Sequence, residues 1–193
     1  HMTYYTNESE VTKLTVDPYN YGGFATFLGT YRIEEGWSPT AIVGADYDAD
    51  GNHIELGNEN PDFRLSFRNS LSFGPLSLSF LIDHKEGGHA INLANLIYDL
   101  GATTADYEEN GSRTAVLGGG STAPYVESTT YTALRDLSLT YSLPAGLTEG
   151  YGLNNVQLGL ALRNWWMASD YTGLSPEVSQ FGNEAVGGSV DTN

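Results

Sequence analysis

Asp46, Asp48, Asp50 and Gly51 form the run D-x-D-x-D-G, with carboxylates at alternate positions. Oxygen ligands at that spacing converge on one hard cation when the chain turns tightly, and glycine permits the turn. The carbonyl of Asn52 adds an oxygen. Glu55 is the substitute for the bidentate acid of an EF-hand loop, whose place is held here by Gly57. The candidate metal ligands are therefore Asp46, Asp48, Asp50, Asn52 and Glu55, with calcium as the ion. The affinity expected is that of extracellular modules, roughly 10⁻⁴ to 10⁻³ M. The same residues also read as a solvated acidic turn.

Other chemistry-bearing residues lead less far. His84 and His89 are spaced poorly for one helix face, and no third ligand stands near them. Gly118-Gly119-Gly120-Ser121 lacks the lysine and the strand-to-helix setting of a phosphate loop. Glu108-Glu109 are adjacent acids that nothing in the sequence aims at a substrate. There is no nucleophile elbow, and the expectation is a protein that is not an enzyme.

The 193 residues carry 24 acids against 8 bases, a net charge of -16, which argues against nucleic-acid binding because no basic face can replace phosphate counterions. Without cysteine there is no disulfide framework and no thiolate chemistry. No run of about 18 apolar residues marks a transmembrane helix, which leaves a transmembrane barrel open because its strands alternate. His1-Met2 reads as a cloning remnant.

Gly, Tyr, Ser, Thr and Leu in alternation predict an antiparallel β protein. Residues 3–22 read as a polar loop, 24–33 as a strand, and 34–61 as a long loop. Residues 63–73 and 76–82 alternate across Gly74-Pro75, which predicts a hairpin. A long segment follows over 83–130, with a short helix within 90–100. Val126 to Pro144 reads as one long strand whose regular part is 131–143, and 153–166 as the last clear strand. Trp165, Trp166, Tyr131 and Tyr171 are candidates for an interfacial aromatic girdle, Trp165 or Trp166 foremost, for core packing, or for stacking platforms for a sugar. Short turns at one end of the strands and long loops at the other match outer-membrane barrels, although alternation equally describes a soluble sandwich.

Four blocks carry a family resemblance. Gly29-Thr30-Tyr31-Arg32 precedes the acidic run and Leu56-Gly57-Asn58-Glu59-Asn60-Pro61-Asp62-Phe63. Leu76-Ser77-Leu78-Ser79-Phe80 leads to Lys85-Glu86-Gly87-Gly88-His89-Ala90-Ile91-Asn92. The third block is the strand closing at Leu143-Pro144, and the fourth is Leu162-Arg163-Asn164-Trp165-Trp166 with Asp170-Tyr171-Thr172-Gly173-Leu174-Ser175-Pro176-Glu177-Val178. In this order they resemble the SusC/RagA family of TonB-dependent outer-membrane receptors, with Asn164-Trp165-Trp166 departing from the usual Asn-Leu-aromatic.

The resemblance implies an all-β chain: an antiparallel meander of long strands with long loops, a partial segment of a transmembrane β-barrel. Residues 1–23 are then the start and a polar loop, 24–166 late barrel strands with extracellular loops, and 167–193 a polar loop, the family's final strand being absent. It implies a parent in the bacterial outer membrane that imports glycans or peptides, with TonB and a SusD-like lipoprotein as partners and the 83–130 loop as the candidate lipoprotein contact. A piece of barrel wall is expected to self-associate by its strand edges. The competing expectation is a soluble extracellular β-domain that binds carbohydrate or protein, with or without calcium.

Overall fold

The computed structural model describes residues 1–23, 25–109, 111–118 and 120–177. In chain order its strands are β1 (Met2–Tyr5), β2 (Tyr19–Tyr21), β3 (Thr30–Ile33), β4 (Ala41–Val43), β5 (Gly57–Asn58), β6 (Pro61–Phe73), β7 (Leu76–Gly87), β8 (His89–Ile91), β9 (Val126–Ser128), β10 (Tyr131–Ser142) and β11 (Gln157–Ser169). The helices are α1 (Leu93–Leu100), α2 (Ala105–Glu108), α3 (Ser112–Gly118) and α4 (Ala145–Thr148), with short 3-10 turns besides. The chain divides into two compact units.

The first unit contains His1–Tyr5, Phe63–Lys85 and Tyr131–Ser169. Its strands form one sheet in the order β1-β6-β7-β10-β11. Alternation sorts its side chains. The register places Leu76, Leu78 and Phe80 beside Tyr141, Leu139 and Leu137. These in turn lie beside Leu158, Leu160 and Leu162. Phe67 joins the same face, its ring 5.9 Å from that of Phe80. The opposite face carries Ser66, Ser77, Ser79, Asp83, Ser138, Thr140, Gly159 and Ala161, so the sheet is apolar on one side and polar on the other.

The strands β6, β7, β10 and β11 are 13, 12, 12 and 13 residues long, more than the about 9–11 residues that cross a bilayer on a tilt. Leu158 and Leu160 stay 61% and 56% exposed to solvent, which in a water-soluble sandwich would leave the apolar face unburied. An apolar outer face and a polar inner face are what a membrane barrel requires. Leu160→Arg is therefore expected to destabilise the full-length protein in a bilayer by about 2 kcal/mol, and Thr140→Arg on the opposite face far less. Equilibrium folding into lipid vesicles measures both, and equal penalties would refute the face assignment.

The second unit contains Thr6–Asp62, Glu86–Thr130 and the chain from Asp170 onward. A small antiparallel sheet, β2-β3-β4-β5, and the ribbon β8-β9 pack with α1 around Tyr31, Ile42, Ile91, Leu96 and Tyr125. Ala41, Ile42 and Val43 of β4 are all buried, so this three-residue strand shows no alternation.

Several expectations change. Residues 24–33 are not a membrane-length strand: Thr26–Leu28 is a 3-10 turn and only Thr30–Ile33 is extended, within the second unit's small sheet; Phe24 lies outside the described residues. The polar stretch 3–22 contains the end of β1, which pairs with Leu65 to Phe67 and Arg64. The 34–61 loop holds β4 and β5. The strand from Val126 to Pro144 is broken at Thr129-Thr130 into β9 and β10, which pair with different partners. The last strand starts and ends later than 153–166, at Gln157–Ser169. The helix expected within 90–100 is α1, and Gly74-Pro75 does turn the hairpin, with Gly74 at φ 55°. Gly119 and residues 178–193, part of the expected polar loop 167–193, lie outside the described residues.

Candidate functional site

On the polar face of the first unit the side chains form a charged cluster. The Asp83 carboxylate accepts from Ser66 Oγ at 2.7 Å, Tyr131 OH at 3.0 Å and Arg135 at 3.3 Å. Arg135 reaches Asp83 because β10 is bulged there. Leu134 pairs with Ile82 and Asp136 with the adjacent Leu81, so Arg135 is an extra residue. Its guanidinium lies 5.3 Å from the centre of the Tyr131 ring, and Arg68 meets Asp136 at 3.8 Å. Paired charges on this face suit a water-filled lumen. Tyr131 is therefore not a girdle residue: it is 3% exposed and held on the polar side. Trp165 and Trp166 are 65% and 51% exposed, the amphipathic rings available for a lipid boundary. His84 is bonded to Thr132 at 2.9 Å.

The second unit draws the resembling blocks together. Asn92 caps α1, its Oδ1 accepting from Asn95 N at 3.1 Å. Its Nδ2 donates to Glu127 and to Thr172 Oγ1, each at 3.0 Å. Glu127 takes Thr172 N and Oγ1, both at 2.7 Å. The Asp170-Tyr171-Thr172-Gly173 block is thus fastened to the block ending at Asn92. Burial and the Glu127 carboxylate push the Tyr171 phenol up. Gly57 of the first block lies under the His89 ring, and a Cβ on Gly87 would meet Asp62 at 2.7 Å.

Beneath α1 lies a network that no sequence motif announces. The Asp99 side chain is fully buried. It receives Arg113 Nε at 2.5 Å and Nη2 at 3.1 Å, Tyr125 OH at 2.7 Å, and the Thr104 hydroxyl. The Arg113 hydrogen bonds, helped by Thr104 and Tyr125 and opposed by burial, hold the Asp99 carboxyl down to about 2. The Tyr125 phenol is pushed up by burial and by Asp99. The one available signal is that Arg113 is the sole base between Lys85 and Arg135.

The acidic run closes on itself. Asp46 accepts from Ser121 Oγ at 2.5 Å and Thr122 N at 2.8 Å. Asp48 accepts from Asp50 N at 2.9 Å, Asn52 N at 2.8 Å and Asn52 Nδ2 at 3.1 Å, and these bonds, Asn52's first, pull its carboxyl down. The Asn52 carbonyl takes Asp48 N at 2.9 Å, and Gly51 turns the loop at φ 85°. Burial pushes Glu55 up, against a hydrogen bond from Asn58. Among the described residues no three His, Asp or Glu side chains gather as a metal-binding group.

An open polar cleft of 590 Å³ also lies in the second unit, lined by Asn7, Glu8, Ser9, Glu10, Gly36, Ser38, Asn58, Asn60, Pro61 and Asp62.

No protein-family model matches the chain. It is 28% identical to TonB-dependent receptor P26 of Formosa agariphila, over 83% of this chain and 19% of that protein. It is also 28% identical to TonB-dependent receptor P3 of the same organism, over 78% of this chain and 17% of that protein. The chain thus spans less than a fifth of the length of these curated relatives. Among solved structures, the RagAB peptide importer in its closed-closed state matches with a TM-score of 0.53 and 20% identity, over 93% of this chain and 24% of that one. A structure of the RagAB peptide transporter matches with a TM-score of 0.53 over 92% of this chain and 23% of that one. The two-faced sheet, the fold shared with the RagAB transporters and the two receptor relatives agree: the chain is similar to a segment of TonB-dependent receptors.

Proposed function

We propose that the full-length receptor imports peptides or glycans across the outer membrane, with energy delivered through TonB and with a SusD-like lipoprotein over its outer loops. In this reading the first unit is late barrel wall and the second unit is folded extracellular loop. The observation that carries it is the sheet of 12- and 13-residue strands with an apolar face and a salt-bridged polar face. The peptide alternative draws support from the peptide importers that share the fold. The cleft of amides and acids, with Asn58, Asn60, Glu8 and Asp62, offers hydrogen bonds to either class.

The test is uptake by cells carrying or lacking the full-length gene, with labelled oligopeptides and oligosaccharides supplied separately. Deletion is expected to abolish uptake of one class, and a TonB-deficient strain to reproduce that loss. Unchanged uptake of both classes would refute the proposal.

Calcium at Asp46, Asp48, Asp50, Asn52 and Glu55 is a separate, smaller proposal. Carboxylates at alternate positions around the turn at Gly51 support it, and an ion there would have to replace Ser121 and Thr122 at Asp46. Calorimetric heat at millimolar calcium that disappears in Asp48→Asn supports the site, and a flat titration ends it.

A further inference from the structure

The negative charge of the chain belongs to one of its units. The first unit carries five bases and three acids, a balance of +2, whereas the second carries three bases and 21 acids, a balance of -18. A surface so strongly of one sign draws cations towards it and turns anions away. The open cleft of the second unit gives that charge a shape. Its 590 Å³ lie within the about 300–1,000 Å³ usual for small-ligand sites. Two segments line most of it. The first carries Asn7, Glu8, Ser9 and Glu10 and is fixed just beyond them by Val11, whose N–H donates to Trp37 O and whose carbonyl accepts from Gly36 N, both at 2.9 Å. The second is the end of β5 and the start of β6, with Asn58, Asn60 and Asp62. Asn60 Nδ2 donates to Ser38 Oγ at 3.1 Å, and Ser38 Oγ also accepts from Thr40 N at 3.2 Å, so this segment is tied to the chain between β3 and β4. A lining held in place before the ligand arrives loses little freedom on binding.

The charge within the cleft is uncompensated. No base lines it, and among the described residues Glu8, Glu10 and Asp62 make no ion pair. The bases between Thr6 and Asp62 are Lys13 and Arg32, and Arg32 is held by Glu34 at 2.6 Å. A single metal ion does not suit the pattern, since among the described residues no three His, Asp or Glu side chains gather closely enough to hold one. Carboxylates spread along a cleft suit a ligand whose positive charges are spaced along its own length. Asn7, Asn58 and Asn60 add amide groups, each both donor and acceptor, which match the N–H and C=O groups of a peptide backbone. Anionic glycans and acidic peptides meet like charge here.

We propose that this cleft binds cationic oligopeptides, with Glu8, Glu10 and Asp62 taking ammonium or guanidinium groups and the asparagine amides taking the backbone. The proposal rests on the import reading given under Proposed function and names the substrate class within it. The test measures binding of two fluorescent pentapeptides, Ala-Lys-Ala-Lys-Ala and Ala-Glu-Ala-Glu-Ala, to the full-length receptor in detergent. The lysine peptide is expected to bind about tenfold more tightly at low salt, and the difference to shrink as salt is raised. Glu8→Gln/Glu10→Gln is expected to remove most of that preference while leaving the melting temperature unchanged. Glu108→Gln/Glu109→Gln removes the same charge from exposed positions outside the cleft and is expected to keep the preference. Equal binding of the two peptides, binding of neither, or a preference for the glutamate peptide overturns the proposal. A loss in Glu108→Gln/Glu109→Gln as large as in the cleft variant overturns the site, because the charge of the whole unit then acts without the cleft. Preserved peptide preference in a receptor whose deletion changes no uptake keeps the site and overturns only the import reading.

Discussion

Gly29→Ala is expected to lower the stability of the second unit by about 3 kcal/mol or more, from two independent causes. The first is conformational. Gly29 follows the 3-10 turn with φ 93° and ψ 142°, a region nearly closed to residues with a Cβ. The second is steric. A Cβ there would stand 1.8 Å from Ile91 Cδ1 and 2.9 Å from Cγ1. Ile91 is 2% exposed and sits among Tyr31, Ile42, Leu96 and Tyr125, so it has no room to withdraw. The measurement is a thermal melt. At about 2–4 °C per kcal/mol for a chain of this size, a fall of roughly 6–12 °C is expected. Repeating the substitution in an Ile91→Val background, which removes Cδ1, should recover part of the steric loss and none of the backbone loss. A fall below about 2 °C would mean that the core is looser than these contacts require.

The glycine was visible in the sequence, but its reason was not. Gly29-Thr30-Tyr31-Arg32 carries only a family resemblance in the sequence, and the contact that demands glycine lies 62 residues downstream. What was legible had local cause. The hairpin of β6 and β7 follows from strict alternation on both sides of Gly74-Pro75, and α1 from apolar residues at helical spacing. Where alternation fails, the reading failed with it. β7 continues through Asp83-His84-Lys85-Glu86, polar on both faces, past the end at residue 82 that alternation predicts. β4 is buried on both faces, and three apolar residues carry no period. The bulge in β10 does leave a trace: Arg135 and Asp136 are consecutive polar residues in an otherwise alternating strand. Both turn to the polar face, which one extra residue allows.

The acidic run shows the same limit on the side of chemistry. Its spacing gives the turn at Gly51 correctly, because Asp48 bonding to Asp50 and Asn52 is a local event. Which way Asp46 points is not local. Its oxygens go to Ser121 and Thr122, 75 and 76 residues away. The Asp99 site is less legible again, since its donors come from positions 5, 14 and 26 residues distant, on different elements.

That buried carboxylate makes the second unit acid-sensitive in a defined way. The folded Asp99 titrates at about 2, against about 3.9 in an unfolded chain. A carboxyl with a lowered folded value stabilises the fold fully above the unfolded value and loses that contribution as pH falls through the folded one. From about pH 5 down to about pH 1, Asp99 should therefore surrender roughly 2 to 3 kcal/mol. Asp99→Asn keeps the shape and removes the charge, leaving Arg113 with a neutral partner and Tyr125 without its anionic acceptor. At neutral pH the variant is expected to be less stable by about 3 kcal/mol, near the lower end for a broken buried pair because the Arg113 side chain is 25% exposed and can reach water. As pH drops from 4 towards 2 the gap between the two proteins should close, since the unsubstituted chain then loses the same charge by protonation. Amide exchange within α1, followed at several pH values, reads this directly, because the Asp99 bonds hold that helix to α3 and Tyr125. A gap that stays constant down to pH 2 would show that the carboxylate acts by shape and not by charge.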